Sequence, residues 1–179
     1  MTNIFYEVEK ETNKDHVATP RYVVESIYNI IGIDKYENIW FPFNNYDSQF
    51  KLKADELKLR YKATHLFDDL SNDFFVTEPP SNCELMISNP PFSLQNEIIE
   101  RSFKLIDENK IKSFALLLPL ATLETQSRAE MFEKHQYKLS IIIFKKRIKF
   151  LGHDQVFNKG CCWVCYNIDE LKDRRISWI

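Results

Sequence analysis

Apolar residues recur at two spacings along the chain, and the segments that show them alternate. Short continuous apolar runs, typical of buried strands, lie at residues 37–43, 62–67, 83–88, 112–120, 139–144 and 161–168. Apolar positions three and four residues apart, which predict amphipathic helices, lie at residues 21–31, 47–61, 93–109 and 121–135. This alternation predicts an α/β domain with a mostly parallel sheet and helices on both faces.

The first predicted helix has recognisable ends. Thr19 is expected to cap it, Pro20 suits its first turn, and Gly32 ends it. In open parallel sheets, ligands bind beyond the carboxyl ends of the strands. The loops that follow the predicted strands are therefore where a binding site is expected.

Length and charge are those of one ordinary globular domain. The chain has 179 residues, of which 44% are hydrophobic and 28% charged, and a net charge of −2. We expect a single domain over residues 1–179, in which residues 1–18 form a polar N-terminal extension. No apolar run approaches the ~20 residues of a membrane span, and the start is unlike a secretory signal. These features predict a cytoplasmic protein without membrane contact.

The number of glycines and the positions of the cysteines limit the kinds of functional site that the chain can form. The chain has 3 glycines, which excludes glycine-rich phosphate loops and nucleophile elbows. Three of its 4 cysteines lie in the last strand-like run, where Cys162 and Cys165 would point to opposite faces. Buried core thiols are therefore favoured over a redox or metal pair, and the 4 scattered histidines offer no metal site.

The most informative motif is Asn89-Pro90-Pro91-Phe92, directly after the predicted strand 83–88. Two prolines stiffen a turn that presents carbonyl oxygens, an amide side chain and an aromatic ring. The Asn89 side-chain oxygen and the Pro90 carbonyl can each accept one hydrogen of an exocyclic amine, while Phe92 stacks on the heterocycle. The motif predicts a site for a planar amine, and the plain alternative is a proline loop whose Phe92 fills the core.

These residues resemble the S-adenosylmethionine-dependent amino-methyltransferases that modify adenine in DNA and RNA, above all the small members from bacterial viruses. The matching stretches are IWFPF at 39–43, DSQF at 47–50, DFF at 73–75, SNPPF at 88–92, Thr19-Pro20 and residues 114–120. The resemblance runs from about Thr19 to Tyr166. It implies a Rossmann-like methyltransferase fold with an antiparallel C-terminal strand, and S-adenosylmethionine as the cofactor.

For the methionine end of the cofactor, the resemblance implies contacts with Thr19 and a floor made by Pro42 and Phe43. The family usually has a glycine-rich loop after the first strand, because glycine lets the backbone approach the cofactor closely. No glycine stands in the matching stretch, so a reduced affinity for S-adenosylmethionine is expected. Asn44 or Asn45 tolerates positive φ better than most residues, so the turn is expected to form there.

The resemblance assigns further roles. Asp68 would bind the ribose hydroxyls, with Asp69 as an equal candidate. Asp73 would accept a hydrogen bond from the amino group of the cofactor's adenine, with Phe74 beside the ring. The residues that would act in catalysis by holding the substrate amine are Asn89, Pro90 and Phe92.

A second candidate surface is the basic run FKKRIKF at residues 144–150. Cations between aromatic residues favour phosphate contacts and base stacking, and the alternative is the solvated face of a strand. Arg147 is the strongest single candidate for a backbone contact. The candidate nucleic-acid-binding residues are Lys145, Lys146, Arg147 and Lys149.

Three functions are compatible with these observations. The first is methylation of the exocyclic amine of adenine in nucleic acid by a phage-encoded enzyme in the host cytoplasm, with an oligomer or a protein partner supplying target recognition. The second is a catalytically inactive relative that binds nucleic acid or inhibits a host defence complex, which the missing glycines favour. The third keeps the chemistry and changes the substrate to protein glutamine or guanine.

Overall fold

The computed structural model describes residues 18–66, 69–152 and 157–179. The strands of this part of the chain are Ile39–Pro42 (β1), Tyr61–Thr64 (β2), Cys83–Ser88 (β3), Ile111–Pro119 (β4), Leu139–Ile143 (β5), Cys161–Tyr166 (β6) and Ile176–Trp178 (β7). Its helices are Arg21–Ile31 (α1), Gln49–Glu56 (α2), Gln95–Asp107 (α3) and Gln126–His135 (α4). The N-terminal extension predicted for residues 1–18 lies outside the described residues, except for Ala18.

The seven strands of the described residues form one sheet in the order β2-β1-β3-β4-β6-β5-β7. Strands β2, β1, β3 and β4 are parallel neighbours. Strand β6 runs antiparallel to β4 and β5, and β7 pairs in parallel with β5. This arrangement confirms the predicted α/β class, the mostly parallel sheet and the antiparallel strand near the C-terminus. Strand β7 was not predicted, because three residues are too few to show an apolar period.

Side chains of successive strand residues point to opposite faces of the sheet, and the buried ones form two cores. On one face, Phe41, Leu85 and Trp163 pack with apolar residues of α1 and α2. On the other face, Trp40 and Met86 pack with apolar residues of α3 and α4. Helices therefore cover both faces, as the alternation of strands and helices predicts.

The cysteines follow the same alternation. Cys162 lies in the core beneath α3, whereas Cys165 lies in the core beneath α1. All four thiols are buried and none forms a disulfide. Burial raises the pKa of Cys83, Cys161 and Cys162 to about 12. The prediction of buried core thiols is confirmed, since neutral thiols of this kind serve packing.

The structure confirms the predicted C-terminal end of α1 but not its predicted N-terminal cap. Gly32 ends the helix in the left-handed conformation with φ 59°, and its N–H donates to the Tyr28 carbonyl. At the start, Pro20 holds the cap position without a side-chain hydrogen bond, and its carbonyl accepts from the Val23 N–H at 3.0 Å. The predicted cap by Thr19 is wrong, because Thr19 lies one residue too early in the chain.

Hydrogen bonds join the carboxyl end of β1 to that of β3. The Pro42 carbonyl accepts from the Ser88 hydroxyl and from the Asn44 amide nitrogen, the latter at 2.7 Å. The Asn44 nitrogen also donates to the Ser88 hydroxyl at 2.9 Å, and Ser48 donates to the Asn44 amide oxygen. Asn44 is only 4% exposed and Ser88 is fully buried. These four residues form what we term the strand-end corner, which sets where the loops after β1 and β3 begin.

Replacing Asn44 with alanine should lower the free energy of unfolding by about 1–3 kcal/mol, because buried polar groups of the strand-end corner lose their partner. Asn45→Ala is the matched control, since Asn45 is half-buried and adjacent, and its effect should stay within about 0.5 kcal/mol. Denaturant unfolding measures both changes. Equal losses in the two variants would contradict the role given to the corner.

The His135 imidazole should make the protein less stable in mild acid. It stacks on Phe103 with ring centroids 4.1 Å apart, and burial lowers its pKa although Asp107 acts in the opposite sense. Because the folded state disfavours the charged imidazole, the free energy of unfolding should fall as the pH drops below about 6.5.

The variant His135→Phe keeps a flat ring against Phe103 and removes the titrating group. Unfolding in denaturant at about pH 7 and about pH 5 should show a smaller acid loss for the variant than for the wild type. Identical losses would show that other groups cause the acid sensitivity.

Candidate functional site

A cavity of about 620 Å³ opens where β1, β2 and β3 end. Since these strands are parallel neighbours, their carboxyl ends meet at one edge of the sheet, where ligands bind in such folds. Its walls come from residues between 43 and 52 after β1, between 65 and 75 after β2, and between 89 and 94 after β3, completed by residues 18–19 and 151–152. This volume lies within the range of small-molecule sites, about 300–1,000 Å³.

The structure brings together five of the residues that the sequence singled out. Those that line the cavity are Thr19, Phe43, Asp73, Phe74 and Asn89. Pro42 and Pro90 are buried and are not among the lining residues, whereas Pro91 is. Asp68, the candidate for the ribose hydroxyls, lies outside the described residues.

The chain turns sharply after β1 at Phe43, which has a φ of 62°. The expectation that Asn44 or Asn45 would take the positive φ is wrong. Because the Asn44 side chain is held in the strand-end corner, the left-handed conformation falls one residue earlier. Such a conformation costs about 1–2 kcal/mol for a residue with a side chain. The Phe43 ring contacts that of Phe74 at a centroid distance of 4.8 Å, which offsets part of this cost.

One side of the cavity is an aromatic wall made by Phe43, Phe74 and Phe75. Phe74 is the buried centre of this wall and stacks on Trp40 at a centroid distance of 5.5 Å. Phe75 meets Phe74 edge-on at 5.5 Å, and the Arg101 guanidinium lies 5.5 Å from the centre of the Phe74 ring. A wall of this kind suits a flat ligand ring.

Asp73 begins the turn that carries this wall. Its Oδ1 accepts a hydrogen bond from the Phe75 N–H at 2.9 Å, and its carbonyl oxygen accepts from the Thr77 N–H at 2.8 Å. These bonds fix the carboxylate at the cavity. Asp69 is exposed and does not line the cavity, and the Ser71 N–H that donates to it lowers its pKa.

The charged side chains that line the cavity in the described part of the chain are acidic. Among the described residues, the lining includes the carboxylates of Asp47 and Asp73 and contains no lysine or arginine. A site of this kind attracts cations and repels phosphate groups.

Sequence reasoning missed most of the polar lining. His65, one of the 4 histidines for which the sequence indicates no metal site, is buried and lines the cavity. The other missed lining residues are Asn44, Asn45, Asp47, Ser48, Gln49, Asn72 and Phe75. A signal for most of them was present, because they follow β1 or β2 closely in the chain.

Asn89 follows β3 directly, where the strand-end corner places it at the cavity. The residue is half-buried and its amide oxygen is buried. Presenting this oxygen to a ligand therefore requires rotation of the side chain about χ1 or χ2, both of which are single bonds.

Phe92 packs away from the cavity. Its ring lies 6.3 Å from that of Phe150 and 5.5 Å from that of Phe157, and it is not among the lining residues. This placement matches the plain structural alternative for the motif, in which the ring fills the core. The contact with Phe150 joins the loop after β3 to the segment that follows β5.

The basic run after β5 forms an irregular segment. Its exposed cations are Lys145, Lys146, Arg147 and Lys149. The two phenylalanines that flank them point inward, since Phe150 is buried and Phe144 packs against the core beneath α1. The run therefore offers its charges, and not its rings, to a partner. It leads directly to Leu151, which lines the cavity.

None of the helices in the described residues is long and apolar enough to cross a membrane. No group of three His, Cys, Asp or Glu side chains among them is arranged to hold a metal ion.

No family model and no curated protein matches the chain. Among solved structures, it is similar to one assigned as the modification subunit of a type I restriction enzyme from Vibrio vulnificus YJ016, with a TM-score of 0.59 and 12% identity over 89% of this chain and 46% of that one. It is also similar to one assigned as a class I S-adenosylmethionine-dependent methyltransferase from Listeria monocytogenes, with a TM-score of 0.52 and 14% identity over 90% of this chain and 65% of that one.

This chain therefore spans less than half the length of the first structure and about two thirds of the second. Identities this low establish likeness of fold alone. The chain has the Rossmann-like α/β fold of class I methyltransferases.

Proposed function

We propose that this protein is a phage-encoded methyltransferase that uses S-adenosylmethionine to methylate the exocyclic amine of adenine in nucleic acid. The observation that carries the proposal is the meeting of the aromatic wall, Asp73 and Asn89 in one cavity at the carboxyl ends of three parallel strands. The phage origin rests on the sequence resemblance alone.

The residues present fit the cofactor. S-adenosylmethionine combines a flat adenine with a sulfonium and an ammonium group, and the cavity combines an aromatic wall with the carboxylates of Asp47 and Asp73. A ligand that carried a row of phosphates would face these carboxylates without a lysine or arginine from the described lining. The charge of the cavity thus favours this cofactor over phosphate-bearing nucleotides.

Individual roles follow from this fit. Asp73 would accept a hydrogen bond from the adenine amino group, with Phe74 beside the ring, and Thr19 would contact the methionine end. Phe43 would form the floor, supported from behind by Pro42. The role of Asp68 at the ribose rests on the resemblance. When bound, the cofactor supplies an electrophilic methyl group.

On the substrate side, the chain would hold the amine by two acceptors. The Asn89 amide oxygen, after rotation into the cavity, and the Pro90 carbonyl would each accept one amine hydrogen, which fixes the direction of the nitrogen lone pair. The same dipoles would stabilise positive charge that develops on the nitrogen. Phe92 would act by anchoring the turn on Phe150 and Phe157.

The nucleic-acid backbone would remain outside the cavity. The exposed side chains of Lys145, Lys146, Arg147 and Lys149 can neutralise phosphates, while the carboxylates inside repel them. Only the base of a nucleotide that is exposed or flipped out of a helix would enter. A second copy of the chain or a protein partner would supply target recognition.

A second candidate function is a catalytically inactive protein that binds nucleic acid or inhibits a host defence complex. Two observations favour it, namely the phenylalanine at the positive-φ position and the buried amide oxygen of Asn89. Methylation of protein glutamine or guanine would use the same acceptor pair and differs only in the substrate.

Titration calorimetry with S-adenosylmethionine tests the cofactor half of the proposal. The wild type should bind, and Asp73→Asn should weaken binding about tenfold or more, because a hydrogen bond to a charged group is worth about 1.5–3 kcal/mol. Asp69→Asn is the control and should change affinity less than about twofold, since Asp69 lies outside the lining. If the wild type gives no binding heat at millimolar cofactor, only the second candidate function, the catalytically inactive binding protein, would remain.

Transfer of a labelled methyl group to separate pools of DNA, RNA and protein tests the catalytic half. Asn89→Ala should lower the rate about 100-fold or more while cofactor affinity stays within about threefold, because Asn89 would hold the substrate amine. Asn29→Ala, an exposed position on α1, is the control. Equal transfer by the wild type and Asn89→Ala would show that the site is wrongly assigned, and the labelled pool identifies the substrate.

A further inference from the structure

Three leucines from separate segments converge on the mouth of the cavity. Leu52 lies on α2, Leu94 precedes α3, and Leu151 follows the basic run, and all three line the cavity. Each remains between 37% and 46% exposed. Each of these leucines therefore leaves a substantial part of its apolar side chain in water, and several such side chains lining one opening are typical of a surface that is covered when a ligand binds.

Two of these leucines lie on segments that ring and backbone contacts anchor. The Phe92 and Phe150 rings contact each other at 6.3 Å, Leu94 follows Phe92 by two residues, and Leu151 follows Phe150 by one. The Leu94 N–H donates to the Pro91 carbonyl at 3.2 Å, and the Leu151 N–H donates to the Ala18 carbonyl at 2.9 Å. The ring contact and these backbone hydrogen bonds therefore anchor the two segments that place Leu94 and Leu151 at the mouth of the cavity.

The position of Phe92 leaves contact with a substrate base to other apolar side chains of the cavity, such as these leucines. An aromatic ring in the cavity could stack on a substrate base, but Phe92 is engaged with Phe150 and Phe157. The apolar residues that line the same cavity as Asn89 and Pro91 include Leu94 and Leu151. Apolar side chains can hold a base by its faces and keep it apart from its neighbours in the strand.

Charge complementarity favours a nucleotide of a nucleic acid as the occupant. Lys149 and Arg147 are exposed and stand two and four residues before Leu151 in the chain. The order along this segment is therefore phosphate-binding cations first and an apolar contact next, and the amide of Asn89 lies further in. A nucleotide has the matching order of charged phosphate, apolar base face and polar base edge.

We propose that Leu94 and Leu151 form a leucine clamp that grips the base of an unstacked nucleotide at the mouth of the cavity. This inference deepens the proposed function and rests on its nucleic-acid substrate. The clamp separates the base from its neighbours and delivers its edge to Asn89, while Lys149 and Arg147 hold the flanking backbone.

Oligonucleotides that carry 2-aminopurine in place of one adenine report on the clamp. The fluorescence of this base rises when it leaves the stack, and aliphatic side chains do not stack on it as an aromatic ring would. Single-stranded DNA, single-stranded RNA and duplex DNA form three arms, which distinguish the source of the nucleotide. Anisotropy of an end label on the same oligonucleotides gives the affinity.

The wild type should raise the 2-aminopurine fluorescence in at least one arm. The double variant Leu94→Ala/Leu151→Ala should lose most of that rise and bind about tenfold more weakly, as expected for the loss of two apolar contacts. Leu57→Ala is the matched control, because Leu57 is 44% exposed and does not line the cavity. Leu94→Met/Leu151→Met, which keeps the apolar volume, should retain most of the rise.

Three outcomes would overturn the clamp. They are equal behaviour of the double alanine variant and Leu57→Ala, binding by the wild type without a fluorescence rise, and no binding by the wild type in any arm. The last would also remove the nucleic-acid substrate from the proposed function. Titration of the same variants with S-adenosylmethionine measures cofactor binding and does not depend on these outcomes. Failure of the clamp can therefore be told apart from failure of the proposed cofactor site.

Discussion

The carbonyl oxygen of Pro42 is the point from which the site takes its geometry. It accepts hydrogen bonds from Asn44 and Ser88, and both donors are buried. Ser88 immediately precedes Asn89, and Asn44 immediately follows Phe43. One buried oxygen therefore sets the start of the loop that bears the amide and the start of the loop that bears Phe43, one residue of the aromatic wall. Buried polar groups of this kind are held firmly, because an unmade hydrogen bond there costs more than a made one contributes.

The same corner shows how a chain with 3 glycines makes a tight turn after β1. A glycine loop turns through backbone freedom and exposes bare backbone to the ligand. Here the turn is held by the side chains of Asn44 and Ser48, and the strained residue is Phe43. The ligand-facing surface of the turn consequently includes an aromatic ring. Such a turn gives up the close approach of bare backbone to a ligand and offers contact with an aromatic ring instead. The cavity can therefore keep its place in the fold while its affinity for particular ligands changes.

The sequence specified the elements better than the directions of side chains. Apolar runs located six strands, most clearly those that are buried on both faces and so leave a continuous signal, while three-residue β7 left none. The motif at Asn89 pointed to the edge of the sheet where the cavity lies. Whether Phe92 faced the cavity or the core depended on Phe150 and Phe157, which are distant in the chain. The position of the positive φ likewise depended on the hydrogen bond of Asn44 to Ser88, 44 residues away.

Separation of charge is the last constraint that shapes the site. The carboxylates of Asp47 and Asp73 line the cavity, and the cations of residues 145–149 lie on the segment that leads to its mouth. A polyanion approaching this surface would be attracted by the cations and repelled by the interior, so its phosphates would stay outside while an uncharged base could enter. A small cationic ligand would experience the opposite preference. The two reactants of the proposed reaction would therefore be sorted to adjoining places by charge before any specific contact forms.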